Sequence, residues 1–387
     1  MIRVLHLTRD FPPRCTGGLS TAVGTMVGAL VPRGVPCGVI SFDGWRPKAS
    51  AGLSKRDPDL PTQPDLHLGA HVLRISAPSA LPVARKFATG FKPNIIHVHH
   101  SMLWKFAAEL RAAIEVPAII TVHVLQQEQN RLREITGDTM SSAAQRSALD
   151  YADYIVAPSR AVAEILIAEN PAQRNRIGVV PLAVATPPVE LDSSASTRRS
   201  DTVLYAGRFA DINGTGELFS AIPVILARVP SARFVIAGGV PENRKAEARW
   251  RRRWQQSTPA AVRERVDFTG WLDREQLYRQ YRTATALISP SWFETFGLVI
   301  LEAMHHEVAI SATCTGAVTE LITHGYTGLL ARPRDIDGLA RNTALLLERP
   351  DLTRRLAVAA AHIARDVFHV AQMTDSLVAI YRECGDH

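Results

Sequence analysis

The sequence predicts an α/β fold of two doubly wound, Rossmann-like domains. Three observations carry this. At 387 residues the chain exceeds what one hydrophobic core serves, so two cores of roughly 180 residues each are expected. Short β-branched runs alternate with amphipathic stretches along its length, and one segment near the middle loses all periodicity.

Taken in order, residues 2–7, 38–42, 72–75, 95–98, 118–123 and 154–157 read as strands, and 19–30, 103–114, 141–151 and 161–169 have helical periodicity. This β-α-β punctuation implies a mostly parallel sheet with helices on both faces. Residues 43–67 are polar and rich in Pro, Gly and Ser; they read as a mobile loop at the rim of a binding site or as a surface loop of no function. Residues 186–201, TPPVELDSSASTRRSD, collect Pro, Ser and charge as an interdomain linker does. The pattern then restarts with strands at 202–205, 234–237, 266–268, 286–289, 309–311 and 328–330. The expected domains are therefore 1–185 and 202–365, with a final helix within 366–387. Ligands of such sheets bind beyond the carboxyl ends of the strands where strand order reverses, so two facing domains would place a site in a central cleft.

Composition narrows the function. A hydrophobic fraction of 46% and a charged fraction of 21% are ordinary for a soluble protein. No run approaches the roughly 18 apolar residues of a membrane span. The opening MIRVLHL leads straight into a polar, glycine-bearing segment, with no signal-peptide h-region, so a cytoplasmic location is expected. Cys15, Cys37, Cys314 and Cys384 have no C-x-x-C spacing and read as free thiols. The net charge of +7 is spread along the chain without interleaved aromatics, so nucleic acid is not an expected partner. Phosphate in a small substrate is the economical reading.

Two segments carry chemistry. RDFPPRCTGGLS (9–20) follows the first strand and opens onto a helix, so Gly17 and Gly18 would turn backbone N–H groups and a positive helix end toward a phosphate. A tight turn without a ligand is the competing reading, and the Gly-Lys-Ser/Thr ending of a Walker A loop is missing. SWFETFGLVILEAM (291–304) is the stronger constellation. With a helix starting near Phe296, the amides of Thr295, Phe296, Gly297 and Leu298 would form an anion nest. Glu294 in the preceding loop could accept hydrogen bonds from sugar hydroxyls, and Glu302, about two turns along, from ribose hydroxyls. Against this stand a helix-capping Glu294 and a solvated Glu302.

Glu294-x7-Glu302 with Phe296-Gly297-Leu298 between resembles the signature of the retaining glycosyltransferase family 4. The resemblance extends to HVHH (97–100), TVHV around His123, APS (157–159), VVPLAV (179–184), YAGR (205–208), FTGWL (268–272) and TGLL (327–330). It implies a GT-B fold, an acceptor-binding first domain, and a second domain that binds a nucleoside diphosphate sugar, UDP by default. It also implies a last helix packed back on the first domain. By resemblance Arg208 pairs with the donor diphosphate, Gly270, Trp271 and Leu272 border the base, Glu302 holds the ribose, and Glu294 and His123 face the transferred sugar. For His123 a core histidine is the alternative. The family usually has a lysine five residues after the arginine, where this chain has Asn213, which can donate hydrogen bonds to the diphosphate but brings no charge. Arg9, Arg14 or Arg282 could compensate.

No DxD-type motif stands in a suitable loop, so neither a metal nor another cofactor is expected; the resemblance further implies retention of anomeric configuration. The RDFPPRCTGG opening and the arginine-heavy composition are similar to enzymes that glycosylate aminocyclitol antibiotics, moving kanosamine or a related sugar to a 2-deoxystreptamine acceptor. Such a polycationic acceptor would want carboxylates, and Asp10, Asp43, Glu128 and Asp138 are candidates, each otherwise an ordinary loop charge. Two further readings stay open. RWRRRW (249–254) could dock a transferase on a membrane to reach a lipid acceptor, although membrane association is not expected. The missing lysine could mark an inactive nucleotide-sugar-binding regulator.

Overall fold

Val4–Thr8 (β1) is uncharged and buried at every residue, the pattern of a central strand covered on both faces. The computed structural model describes residues 2–15, 17–43, 65–75, 80–185, 201–239 and 244–385. The linker expected at 186–201 lies outside these up to residue 200, and the loop expected at 43–67 lies outside them from 44 to 64.

The chain divides into two units, Met1–Val184 with Val370–His387, and Ala185–His369. In unit one, β1 lies between Cys37–Ser41 (β2) and Ile95–Val98 (β5), both parallel to it. Asp65–His67 (β3), Ala70–Arg74 (β4), Ala118–Thr121 (β6), Tyr154–Ala157 (β7) and Ile177–Val179 (β8) complete an eight-stranded sheet of order β3-β4-β2-β1-β5-β6-β7-β8. Only β3 runs antiparallel, so the last three residues of the stretch expected to be a loop form an edge strand on β4. The helices of this unit are Gly18–Leu30 (α1), Leu81–Phe91 (α2), Trp104–Ile114 (α3), Gln126–Leu132 (α4), Met140–Tyr151 (α5) and Arg160–Glu169 (α6). The strand order reverses between β1 and β5, which places the loops after β1, β5 and β6 at a switch point.

Unit two carries a parallel sheet of order β11-β10-β9-β12-β13-β14. Its strands are Thr202–Arg208 (β9), Arg233–Gly239 (β10), Val266–Gly270 (β11), Ala286–Ser289 (β12), Ala309–Thr313 (β13) and Leu329–Ala331 (β14). The reversal falls between β9 and β12. Thr215–Arg228 (α7), Arg244–Ser257 (α8), Ala260–Arg263 (α9), Arg274–Thr283 (α10), Leu298–His305 (α11), Val318–Leu321 (α12), Ile336–Glu348 (α13) and Pro350–Val367 (α14) connect and cover the strands. The final helix expected within 366–387 begins four residues later, at Val370. α14 stops at Val367, and Val370–Gly385 (α15) belongs to unit one, burying Met373, Leu377, Ile380 and Tyr381.

The basic segment of α8 differs from a membrane-docking face. Trp254 is 3% exposed inside the unit-two core, Trp250 packs against that core, and Phe219 lies 5.0 Å from the Trp254 ring. Arg251 stacks 4.9 Å over Phe268 and pairs with Glu247 at 2.9 Å. With both tryptophans turned inward, the segment keeps charge but loses the aromatic insertion an interface needs. Among the described residues no helix is long and apolar enough to cross a membrane, and none of the cysteines is in a disulfide.

Candidate active site

In unit two the loops after β9 and β12 are locked together. Gly214, at φ 67°, caps the turn after Asn213, and a Cβ there would stand 2.0 Å from the Pro290 carbonyl oxygen, so only glycine allows this approach. The Trp292 N–H donates to the Ile212 carbonyl at 2.8 Å and its indole N–H to Glu217 at 2.8 Å. From the other side Thr315 donates to the Trp292 carbonyl at 2.8 Å, Thr313 to the Ser291 carbonyl, and the Ala317 N–H to the Glu294 carbonyl at 3.0 Å. Glu294 is thereby fixed on a rigid loop at the carboxyl edge of the sheet. The Ser291 hydroxyl donates to its Oε1 at 2.7 Å, while burial pushes the carboxyl above its ordinary range.

The helix after this loop starts at Leu298, two residues later than the spacing suggests, because Gly297 takes a left-handed φ of 95° that a helix cannot contain. No side chain caps this helix start. Phe296 is buried, its ring 5.9 Å from that of Phe368, so its side chain anchors the loop and only its backbone is available to a ligand. Glu302 lies in the second turn of α11, 7% exposed, and accepts from the Tyr281 hydroxyl at 3.0 Å. Burial raises it to about 7 against the smaller opposing pull of Tyr281 and Arg274.

Arg208 ends β9, and its carbonyl accepts from the Tyr205 hydroxyl and from the Asn213 side-chain amide, each at 3.0 Å. Asn213, expected to face the diphosphate, therefore spends a donor on bracing the Arg208 turn. After β11, Gly270 takes φ 74° and Trp271 is 37% exposed before Asp273 caps α10 through a capping box with Gln276; Leu272 is partly exposed between them.

In unit one, α1 begins at Gly18, and Gly17 gives it no side-chain cap, as a phosphate-binding helix start requires. Four histidines gather on one face of the sheet. His6 and His97 are register partners on β1 and β5, His99 follows β5, and His123 follows β6. His6 Nδ1 lies 3.0 Å from His99 Nε2, and His99 Nδ1 lies 3.2 Å from His123 Nε2. His97 is held by the Tyr381 hydroxyl and the Thr121 hydroxyl, both at 2.7 Å. Burial pushes His6 down to about 3 and His123 to about 4, and holds His97 and His99 well below the ordinary imidazole range. Ring nitrogens of His6, His97 and His99 lie within 4.8 Å of one another. Both nitrogens of His97 and of His99 lie at hydrogen-bond distance from neighbouring side chains.

The four acids proposed for an acceptor fare differently. Asp43 is committed to Arg74 at 2.7 Å, both side chains 3% exposed, and accepts from Ser41 at 2.7 Å. This is a buried structural pair and not a carboxylate open to a cationic acceptor. Glu128 is bridged by Arg131 within α4, at 2.6 and 2.8 Å, and Asp138 pairs with Arg146. Asp10 is buried just past the end of β1, where the Thr8 hydroxyl donates to its carbonyl at 3.0 Å.

Residues 16–186 match the model described as Glycosyltransferase Family 4, and residues 200–349 match Glycosyl transferases group 1. A D-inositol 3-phosphate glycosyltransferase of Acidothermus cellulolyticus is 30% identical over 76% of this chain and 68% of its own length. The chain belongs to glycosyltransferase family 4. The alpha-D-kanosaminyltransferase of Streptomyces kanamyceticus is 28% identical to this family 4 chain over 70% of it and 71% of that relative. A mycobacterial D-inositol 3-phosphate glycosyltransferase is 29% identical over 68% of it, a match spanning only 62% of that relative's length. Sucrose-phosphate synthase of Thermosynechococcus elongatus superposes with a TM-score of 0.83 at 20% identity, covering 99% of each chain. Anabaena HepE in complex with UDP-glucose gives 0.74 at 18% identity, covering 99% of this chain and 100% of that one. The fold of the family 4 chain is GT-B.

Sequence reasoning missed the residues that hold this site in place. Tyr281 and Arg74 carry no local signal, since each acts through a partner remote in sequence, Glu302 and Asp43, that only the fold supplies; Ser291 and Tyr205 stand inside the quoted motifs, each supporting the residue three positions on. For His6 and His99 a signal existed: a histidine in an otherwise apolar strand, and the repeated histidines of HVHH.

Proposed function

We propose that this chain transfers a sugar from a nucleoside diphosphate sugar, UDP being the nucleotide, to a hydroxyl of a small polyhydroxylated acceptor. The observation that carries the reading is the rigid pairing of the Arg208 turn with the Ser291–Glu294 loop, next to the uncapped start of α11 and the buried Glu302. Arg208 and the first amides of α11 stabilise the charge that develops on the departing diphosphate. The backbone of Gly270, Trp271 and Leu272 borders the base, Glu302 accepts the ribose hydroxyls, and Glu294 accepts from the sugar. His123 and the Gly17-Gly18 turn are assigned to the sugar and its phosphate.

The sugar C1–oxygen bond to phosphate breaks as the acceptor oxygen bonds to C1 on the same face, and the acceptor proton passes to the departing phosphate oxygen. Configuration is retained, and no protein base or divalent metal is required. For the acceptor, a cyclitol is favoured because relatives are named for inositol 3-phosphate and for kanosaminyl transfer. A 2-deoxystreptamine aminocyclitol is the first compound to screen.

Calorimetric titration with UDP, GDP and ADP, with and without divalent metal, tests the donor site. One nucleotide should bind without metal, and Arg208→Ala and Glu302→Ala should each weaken it by about 1.5–3 kcal/mol, as loss of a charge-assisted hydrogen bond does. Absence of nucleotide binding, or two variants that bind as the wild type does, removes the assignment. Turnover with an acceptor separates an enzyme from a binding regulator.

A further inference from the structure

α10 turns a polar stripe toward α11. Arg274, Tyr278 and Tyr281 stand four and three residues apart, a spacing that stacks them on one face of a helix. From that face Tyr281 reaches Glu302, and the Tyr278 ring lies 4.8 Å from that of His306, just past α11. Arg274 is at the amino end of the stripe, directly beyond the turn of Gly270, Trp271 and Leu272.

Arg274 is held in place without being used up. Its Nε donates to the Tyr278 hydroxyl at 2.6 Å, and its guanidinium carbon lies 5.3 Å from the centre of that ring. Among the described residues its two terminal nitrogens, which carry the other N–H donors of the fork, meet no acceptor. Glu302 is in the matching state: Tyr281 donates to Oε2, and among the described residues no group donates to Oε1. The two side chains form no ion pair with each other, yet the Arg274 charge is near enough to draw the Glu302 carboxyl down against the effect of burial. Fixing a long, exposed side chain costs rotamer entropy, and the Tyr278 contact meets part of that cost before any ligand arrives.

We infer that Arg274 reads the base of the nucleotide, its terminal N–H groups donating to the uracil carbonyl oxygen that lies beside the ribose 2′-hydroxyl. With Glu302 assigned to the ribose, on which this role rests, a donor next to that carboxylate meets the ribose-facing edge of the base. A pyrimidine carries a carbonyl oxygen on that edge, whereas guanine carries an amino group that donates. The guanidinium pairs with the first and opposes the second, since donor would face donor. Arg274 is thus a specificity-determining residue: the side chain of α10, and not only the backbone of the turn before it, selects UDP over GDP.

Calorimetric titration of the full-length protein with UDP, GDP and 2-thio-UDP, in which sulfur, a weaker acceptor, replaces that oxygen, tests this. The wild type should bind UDP about tenfold more tightly than 2-thio-UDP, the value of one hydrogen bond to a charged donor. Arg274→Met, an exchange at an exposed position, should keep the wild-type denaturation midpoint. It should bind UDP about tenfold more weakly, bind 2-thio-UDP as the wild type does, and narrow the preference for UDP over GDP. Tyr278→Phe keeps the ring but releases Nε, so it should lose a smaller part of the UDP affinity and still prefer oxygen to sulfur. An Arg274→Met protein that binds UDP as the wild type does, or that still prefers UDP to 2-thio-UDP, overturns the role of Arg274. Glu302→Ala then shows whether the ribose assignment falls with it, because loss of a ribose contact weakens UDP and GDP alike. A wild type that binds no nucleotide removes both.

Discussion

Glu302 shows how far one residue depends on its surroundings. A carboxylate meant to accept two ribose hydroxyls should be ionised, yet burial lifts this one to about 7, and the Tyr281 hydroxyl pulls in the opposite direction. Below that pH the protonated group loses acceptor capacity, so nucleotide affinity should fall as pH drops from about 8 to 6. Tyr281→Phe removes the donor that favours the charged form, so its loss of affinity should begin at higher pH. Calorimetric titrations of both proteins across that range would show the displaced profile; superimposable profiles would detach Glu302 from the ribose. The stability contribution has the opposite sense. With a folded value above the ordinary 4.5, protonation favours the folded state, and that contribution is fully present below 4.5 and lost as pH rises through about 7. Binding and stability thus draw this carboxyl in opposite directions.

At the scale of elements, the buried pair between β4 and the end of β2 is the most consequential unpredicted feature. Arg74 donates to Asp43, to the Phe11 carbonyl at 3.0 Å and to the Pro12 carbonyl at 2.6 Å, so one guanidinium shapes the loop that leads from β1 into α1. Arg74→Met leaves a buried carboxylate unpaired and should cost about 3–5 kcal/mol, read as a lowered denaturation midpoint. The double change Arg74→Met with Asp43→Leu should recover a large part of that loss; equal midpoints for single and double variants would show that the loop contacts, and not the charge, dominate.

The same scale explains what was legible. Central strands announce themselves by mostly apolar runs, as β1 and β5 do, each broken by one histidine. Residues 126–132 did not, because α4 buries none of its side chains and QQEQNRL has no apolar stripe to read. β8 is a three-residue, half-exposed edge. α2 did carry a signal, Ala84, Ala88 and Phe91 at helical spacing, muted because alanine is a weak marker of a buried face. Glu294 and Glu302 stand out by their local spacing and Arg208 by resemblance, whereas the contacts from Tyr281 to Glu302 and from Asn213 to Arg208 are created by the turn of the chain and have no such signal.

At the scale of the molecule, every residue assigned to nucleotide recognition except the Gly17-Gly18 turn belongs to unit two, which closes its own cores around Phe219, Trp254 and Leu356. A fragment of residues 201–369 should therefore fold alone and bind UDP within about an order of magnitude of the whole chain. A fragment that melts cooperatively without binding would move part of the nucleotide site to unit one. Unit one has no such autonomy in sequence. Its sheet is laid down by residues up to 184, but Leu377, Tyr381 and the hydrogen bond between Tyr381 and His97 come only with α15. On the ribosome, then, the first half of this protein must wait, its helix-binding face uncovered, until the whole of the second half has been synthesised, so the unit that begins first is the last to receive all of its chain.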